Sequence, residues 1–212
     1  MKRTEAISKF PAELPNQRFS GRVDMATYQP FSNFTAQSRT VSALMSMYAQ
    51  LERDSAARIE LTPIVVFLAF AIESYLNSIG ARQLEIWDEL ERLPWKKKVI
   101  ILHKTAKKSI DWGKDPLQFA TEVFALRDRL AHGKPERVVG PVFNNQDDAN
   151  RFLNCQDLQP DWYRTITREW VMEAKERFRL LMIYLGGLFG LHESDHLLAA
   201  TGGLLVDDGK DA

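Results

Sequence analysis

The stretch PIVVFLAFAIESYLNSIG, residues 63–80, decides how the rest of the chain is read. Thr62–Pro63 has the form of an N-cap followed by proline at the first helical position, and Gly80 has the form of a stop. The predicted helix is apolar on nearly every side, apart from Glu73 and Asn77 one turn further on. A carboxylate in such surroundings is costly to bury unless it is paired. The plain alternative is that Glu73 and its neighbour Ser74 mark the solvent face.

Other helices are expected on both sides of this one. SALMSMYAQLERD continues a helix that starts near 34–40, ARQLEIWDELERL forms a helical segment ending before Pro94, and PWKKKVIILHKTAKK follows. Asp115–Pro116 opens a helix running to Ala131, with Gly133 just beyond its end. Residues 133–160 are the least helical: RVVGPVF suggests a short strand or hairpin arm, and NNQDD a turn. A long helix is expected from about Pro160 to Leu185. The expectation is an all-α bundle of four or five main helices over residues 35–195. An irregular extension at 1–34, with Pro11, Pro15 and Pro30, and a flexible tail at 196–212 flank it.

Composition narrows the function classes. The chain has 212 residues, with Lys+Arg and Asp+Glu both at 28, so it carries no net charge. That argues against a non-specific polyanion binder but leaves room for a local basic surface. The single cysteine, Cys155, cannot form an internal disulfide and suits a reducing compartment. The apolar runs Pro63–Ile72 and Leu180–Leu191 fall short of the ~20 residues that span a bilayer. MKRTEAISKFPAELP has no apolar signal core. A cytoplasmic protein with no membrane partner is expected.

The helix that ends in EVFALRDRLAHGKPE, residues 122–136, carries the chemistry-bearing side chains. Phe119, Val123, Leu126 and Leu130 follow helical spacing and form the expected buried stripe. Arg127, four residues after Val123, falls at the edge of that stripe. His132 closes the helix, and Asp128, four residues earlier, can reach its ring. The ordinary reading is a basic last turn that complements the helix dipole.

A second basic feature lies upstream. Residues 94–108 hold six lysines and no acid. With Val99, Ile100 and Leu102 as anchors, the lysines are expected to face outward. Lys96, Lys97, Lys98 and Lys104, with Lys134 beyond the later helix, are then candidate phosphate contacts. The alternative is a solvated helix face.

RDRLAH, Arg127 to His132, resembles the R-x4-6-H signature of the HEPN superfamily, with Asp128 as the polar residue after the arginine. FAIESYLNSIG resembles the acid-bearing helix that precedes it in that superfamily. The resemblance covers roughly residues 40–190. It implies a helical bundle that forms homodimers, with two motifs meeting across the interface. It also implies a metal-independent endoribonuclease without cofactors, of the kind found in toxin and phage-defence systems, restrained by an antitoxin or other regulatory protein. In those terms His132 performs acid/base chemistry on the ribose 2′-hydroxyl and Arg127 stabilises the phosphorane. Asp128 orients His132, Glu73 positions Arg127, and RNA is the substrate. Some such toxins carry a modifiable tyrosine two residues after the histidine; here that position is Lys134, so that form of control is not expected. The alternative within the resemblance is a catalytically silent module that binds nucleic acid or protein.

His192-Glu193-Ser194-Asp195-His196 fits the H-E-x-x-H pattern of zinc peptidases. Its context is poor: glycines at 186, 187 and 190 precede it, and no further His or Glu follows to serve as third ligand. A solvated helix start is the better reading, and no metal is expected. Cys155, in FLNCQDLQP, is expected to be a buried structural thiol.

Overall fold

A computed structural model describes residues 27–32, 34–53, 60–155, 158–196 and 202–207. The chain divides into two compact units, Ser32–Thr201 and a smaller one formed by its two ends. In the larger unit the helices are α1 (Ala36–Arg53), α2 (Thr62–Gln83), α3 (Trp87–Leu90), α4 (Trp95–Thr105) and α5 (Leu117–His132). They continue with α6 (Gln146–Cys155), α7 (Asp161–Arg164), α8 (Arg168–Gly187) and a 3-10 turn at Glu193–His196. The all-α bundle is therefore the fold. In the smaller unit β1 (Thr27–Ser32) pairs with β2 (Gly202–Asp207). Strand pairing at 27–32 and 202–207 replaces the irregular extension and tail expected there; the other residues of those segments lie outside the described ones, apart from 34–35 beside α1 and the 3-10 turn.

Helix α2 is the hub, packed by α1, α3, α4, α5 and α8. Its buried positions, among them Ile64, Leu68, Ile72, Tyr75, Leu76 and Ile79, wrap around the helix. A helix apolar on nearly every side must be covered on most of them, and here Phe70 is the large apolar residue left 47% exposed. Its 22 residues are long and apolar enough to cross a membrane, yet more than half of its apolar window is buried within the bundle, as in a core helix. Thr62 is the first helical residue rather than the cap, and its hydroxyl is 2.6 Å from Glu60 Oε1. The helix also passes Gly80 to reach Gln83. Gly80 serves packing instead of termination: a Cβ there would lie 2.1 Å from the ring of the buried Trp87.

The segment after α2 keeps only one short helical turn, α3. Helix α4 turns Trp95, Lys98, Val99, Leu102 and His103 inward. Lys98 thus departs from the outward-facing expectation, because position 98 falls on the same helical face as 95 and 102. His103 is fully buried, with Nδ1 2.8 Å from the Val99 carbonyl and Nε2 2.7 Å from the Tyr184 hydroxyl. A carbonyl can only accept, so Nδ1 carries the proton toward Val99. Burial, followed by the charge of Asp111, pushes the Tyr184 hydroxyl above its ordinary pKa.

In α5 the buried residues are Leu117, Phe119, Ala120, Val123 and Phe124. Leu126 and Leu130 are only half-buried, so the stripe fades toward the helix end. Arg177 of α8 braces the start of α5, with Nη2 2.9 Å from Asp115 and Nη1 2.8 Å from Glu122. Burial works against the charged guanidinium, but its bonds to Glu122 and Asp115 outweigh that and hold it more firmly protonated than usual.

RVVGPVF is neither strand nor hairpin: residues 133–143 have no regular structure, and Val142 is 95% exposed. Pro141 lacks the N–H that a strand ladder needs. NNQDD starts α6, since the Asn145 side chain accepts from the Asp147 N–H at 2.9 Å. The long helix expected from Pro160 is split in two. Thr167 is extended, and its hydroxyl accepts from the Trp170 N–H, which starts α8 anew. Cys155 is exposed, not buried, at the end of a helix with no buried residue.

Candidate active site

The last two turns of α5 hold the three motif residues. Arg127 is 26% exposed, with its guanidinium carbon 5.2 Å from the centre of the Phe124 ring. This is the rim position expected from its spacing. A cation over an aromatic face is held by the ring quadrupole. Its Nη1 is 3.3 Å from Asp128 Oδ1, while its Nε is buried with no hydrogen-bond partner among the described residues. The ring and the carboxylate fix the guanidinium in place. His132, the final residue of α5, is exposed.

Two expected pairings are replaced. Glu73 does not pair with Arg127; its Oε1 accepts from Lys98 Nζ at 3.0 Å. A long lysine stem can lie against the core while its ammonium reaches a half-buried carboxylate, which satisfies both charges. Ser74, at 2.9 Å from Thr40 Oγ1, ties α2 to α1 and does not mark a free face. Asp128, which was expected to orient His132, faces the adjacent Arg127 instead.

The chain leaves α5 at Gly133 in an ordinary extended conformation (φ −58°, ψ 133°). Glycine is required there by proximity: a Cβ would lie 2.4 Å from the Arg129 carbonyl oxygen. The close turn leads residues 133–136 along a groove of about 620 Å³ lined by Arg129, Gly133, Lys134, Glu136, Pro160 and Trp162. Lys134 is the candidate phosphate contact that lines it. Lys96, Lys97 and Lys104 are exposed on α4, with Lys96 Nζ 5.6 Å from the ring centres of both Trp95 and Trp112. Lys98, enclosed by the core, is removed from the set of surface contacts.

Two further residues, Arg129 and Trp162, stand beside the motif residues without having been expected there. The guanidinium carbon of Arg129 is 5.7 Å from the centre of the Trp162 ring. A signal was present: Arg129 sits between Arg127 and His132, and Trp162–Tyr163 is an aromatic pair just ahead of a helix.

At the other motif, His192 Nδ1 lies 2.8 Å from Ser194 Oγ, beside a 3-10 turn of four residues. The i, i+4 geometry of a zinc-binding helix is not formed by such a turn. Among the described residues no group of three or more His, Cys, Asp or Glu could hold a metal ion.

The structure thus defines an all-α bundle with a basic, aromatic-lined helix end. No family model, no curated protein and no solved structure matches the chain.

Proposed function

We propose that the chain is a metal-independent endoribonuclease of HEPN type, active as a homodimer on RNA in the cytoplasm, in a toxin or phage-defence setting under a regulatory partner. The observation that carries this reading is Arg127: a partly exposed arginine held over Phe124, on the same two helical turns as an exposed histidine. A positive fork of N–H donors held in one place suits an oxyanion that appears only in the transition state. The ribose 2′-hydroxyl attacks the adjacent phosphorus, His132 of one protomer takes its proton, and the 5′-oxygen leaves with a proton from the histidine of the other. The products are a 2′,3′-cyclic phosphate and a 5′-hydroxyl. The nucleophile is already held beside the phosphorus, so positioning, proton transfer and charge stabilisation are what the protein must add. Asp128 serves in this scheme as the partner of Arg127, and Glu73 has no catalytic role.

A second reading, a catalytically silent module of the same type, is favoured by one observation. Asp128 is engaged with Arg127, and no hydrogen bond or ion pair orients His132 among the described residues. Incubation with single-stranded RNA decides. Cleavage to cyclic-phosphate ends that survives EDTA, with resistance of RNA bearing a 2′-deoxy group at the cut nucleotide, supports the ribonuclease. No cleavage by dimeric protein, or cleavage of the 2′-deoxy substrate, overturns it.

A further inference from the structure

We propose that the groove beside the end of α5 is a stacking subsite for an unpaired nucleobase of single-stranded RNA, with Trp162 as the platform and Arg129 and Lys134 as phosphate contacts. The inference builds on the ribonuclease reading by naming where the strand is held, but it concerns binding and is measured without cleavage.

The groove has the size and lining for such a ligand. Its volume of about 620 Å³ lies within the range of small-molecule sites. Trp162 is half-buried and held from several sides. Its Nε1–H donates to Glu136 Oε2 at 3.2 Å, Tyr163 meets it edge-on with ring centres 5.6 Å apart, and Arg129 stands over the ring. With its polar group satisfied and Arg129 over the ring, the half-buried indole has only its remaining exposed surface for a base to meet. A second groove of about 370 Å³, lined by Leu126, Arg129, Trp162 and Trp170, shares the same two residues.

Charge favours the same class of ligand. Arg129 and Lys134 face the groove with one acid, Glu136, whose carboxylate is turned to the indole N–H. A phosphate therefore meets two cations, while the base meets the ring. Arginine beside an aromatic is a recurrent surface for unpaired bases, because every base has a π-face. A duplex keeps its bases stacked on each other and cannot use the ring. An acidic peptide would engage the cations without needing Trp162. Gly133, in the groove wall, directly follows His132, so the groove begins where the motif ends.

The test uses the full chain, as wild type and as His132→Ala, with a fluorescein-labelled, uncleavable 2′-O-methyl RNA 12-mer of mixed sequence, read by anisotropy at several salt concentrations. The expected result is binding by both proteins. Trp162→Ala weakens it about tenfold or more, and Trp162→Phe retains most of it. Arg129→Gln and Lys134→Gln, on exposed side chains, each lower the slope of log affinity against log salt by roughly 0.7. These two report on the groove even if Trp162→Ala does not fold. The proposal is overturned by absence of wild-type binding, by folded Trp162→Ala that binds like wild type, by unchanged salt slopes, or by poly-glutamate competing as well as single-stranded RNA. Binding through Trp162 without cleavage of ordinary RNA leaves the subsite standing and removes the ribonuclease. Cleavage without dependence on Trp162 does the reverse.

Discussion

Lys98 and Glu73 join α4 to α2 through an ion pair of 3.0 Å whose two ends differ sharply in burial, 1% exposed for the lysine and 36% for the glutamate. The consequence is an asymmetry between substitutions. Glu73→Ala strands an ammonium in the core and should cost ~2–3 kcal/mol, somewhat below the full value for a buried pair because water reaches the carboxylate. Lys98→Met removes the buried charge, keeps the volume and leaves Glu73 free to hydrate, so it should cost less than ~1.5 kcal/mol. Urea melts of the two variants measure the difference. Equal costs would show that the pair is not what holds this part of the core.

Gly80→Ala should destabilise the bundle even though alanine is the better helix former. The propensity gain is at most ~1 kcal/mol. Against it, the new methyl would sit 2.1–2.4 Å from three atoms of the Trp87 ring, and that ring is itself buried. Forced repacking of a filled core costs ~1–3 kcal/mol. Thermal unfolding gives the sign directly; a raised Tm would mean that Trp87 moves aside freely.

The acid limb of stability should depend on Asp115. Its hydrogen bond from Arg177, opposed by partial burial and helped by the guanidinium charge and the Phe119 N–H, holds its carboxyl below the ordinary carboxylate value. A group whose pKa is lowered on folding stabilises the native state above its unfolded pKa, near 4, and loses that effect as pH falls through the folded value. Asp115→Asn should therefore be less stable than wild type near neutrality, by no more than ~1 kcal/mol for a largely exposed carboxylate. The gap should close below about pH 4. Paired melts across this range check it, and a gap that stays constant with pH would contradict the assignment.

The helical class was legible because an apolar run such as 64–72 leaves its helix few alternatives, whereas α6 and the break between α7 and α8 were not. What the sequence hid were choices between partners. Glu73 could be seen to need a cation, but spacing within one helix cannot say whether Lys98 or Arg127 is nearer in space. The α4 lysines looked alike in sequence, and only the face shared with Trp95 and Leu102 separates Lys98 from Lys96 and Lys97. The β1–β2 pairing joins segments about 170 residues apart, a distance over which local pattern carries no information. At the candidate site, Arg127 and His132 stood out by spacing, whereas Arg129 and Trp162 lie far apart in sequence and meet only in the fold.

Stability and activity should separate cleanly at the end of α5. His132 is exposed, so His132→Ala removes no core contact and should leave stability within ~0.5 kcal/mol of wild type. If it carries the proton, the same change should lower RNA cleavage by roughly 10²–10⁴-fold. Arg127→Lys is the sharper probe. It keeps the positive charge and can keep the contact with Phe124, but it loses the planar fork of donors. A role confined to bracing Asp128 and Phe124 predicts near-normal folding and near-normal cleavage. A role at the transition state predicts near-normal folding with kcat reduced by about 10²-fold or more and KM little changed. Single-turnover cleavage of a labelled RNA by dimeric protein, with melts run beside it, separates the two. Full activity in both His132→Ala and Arg127→Lys would place the chemistry elsewhere on the bundle.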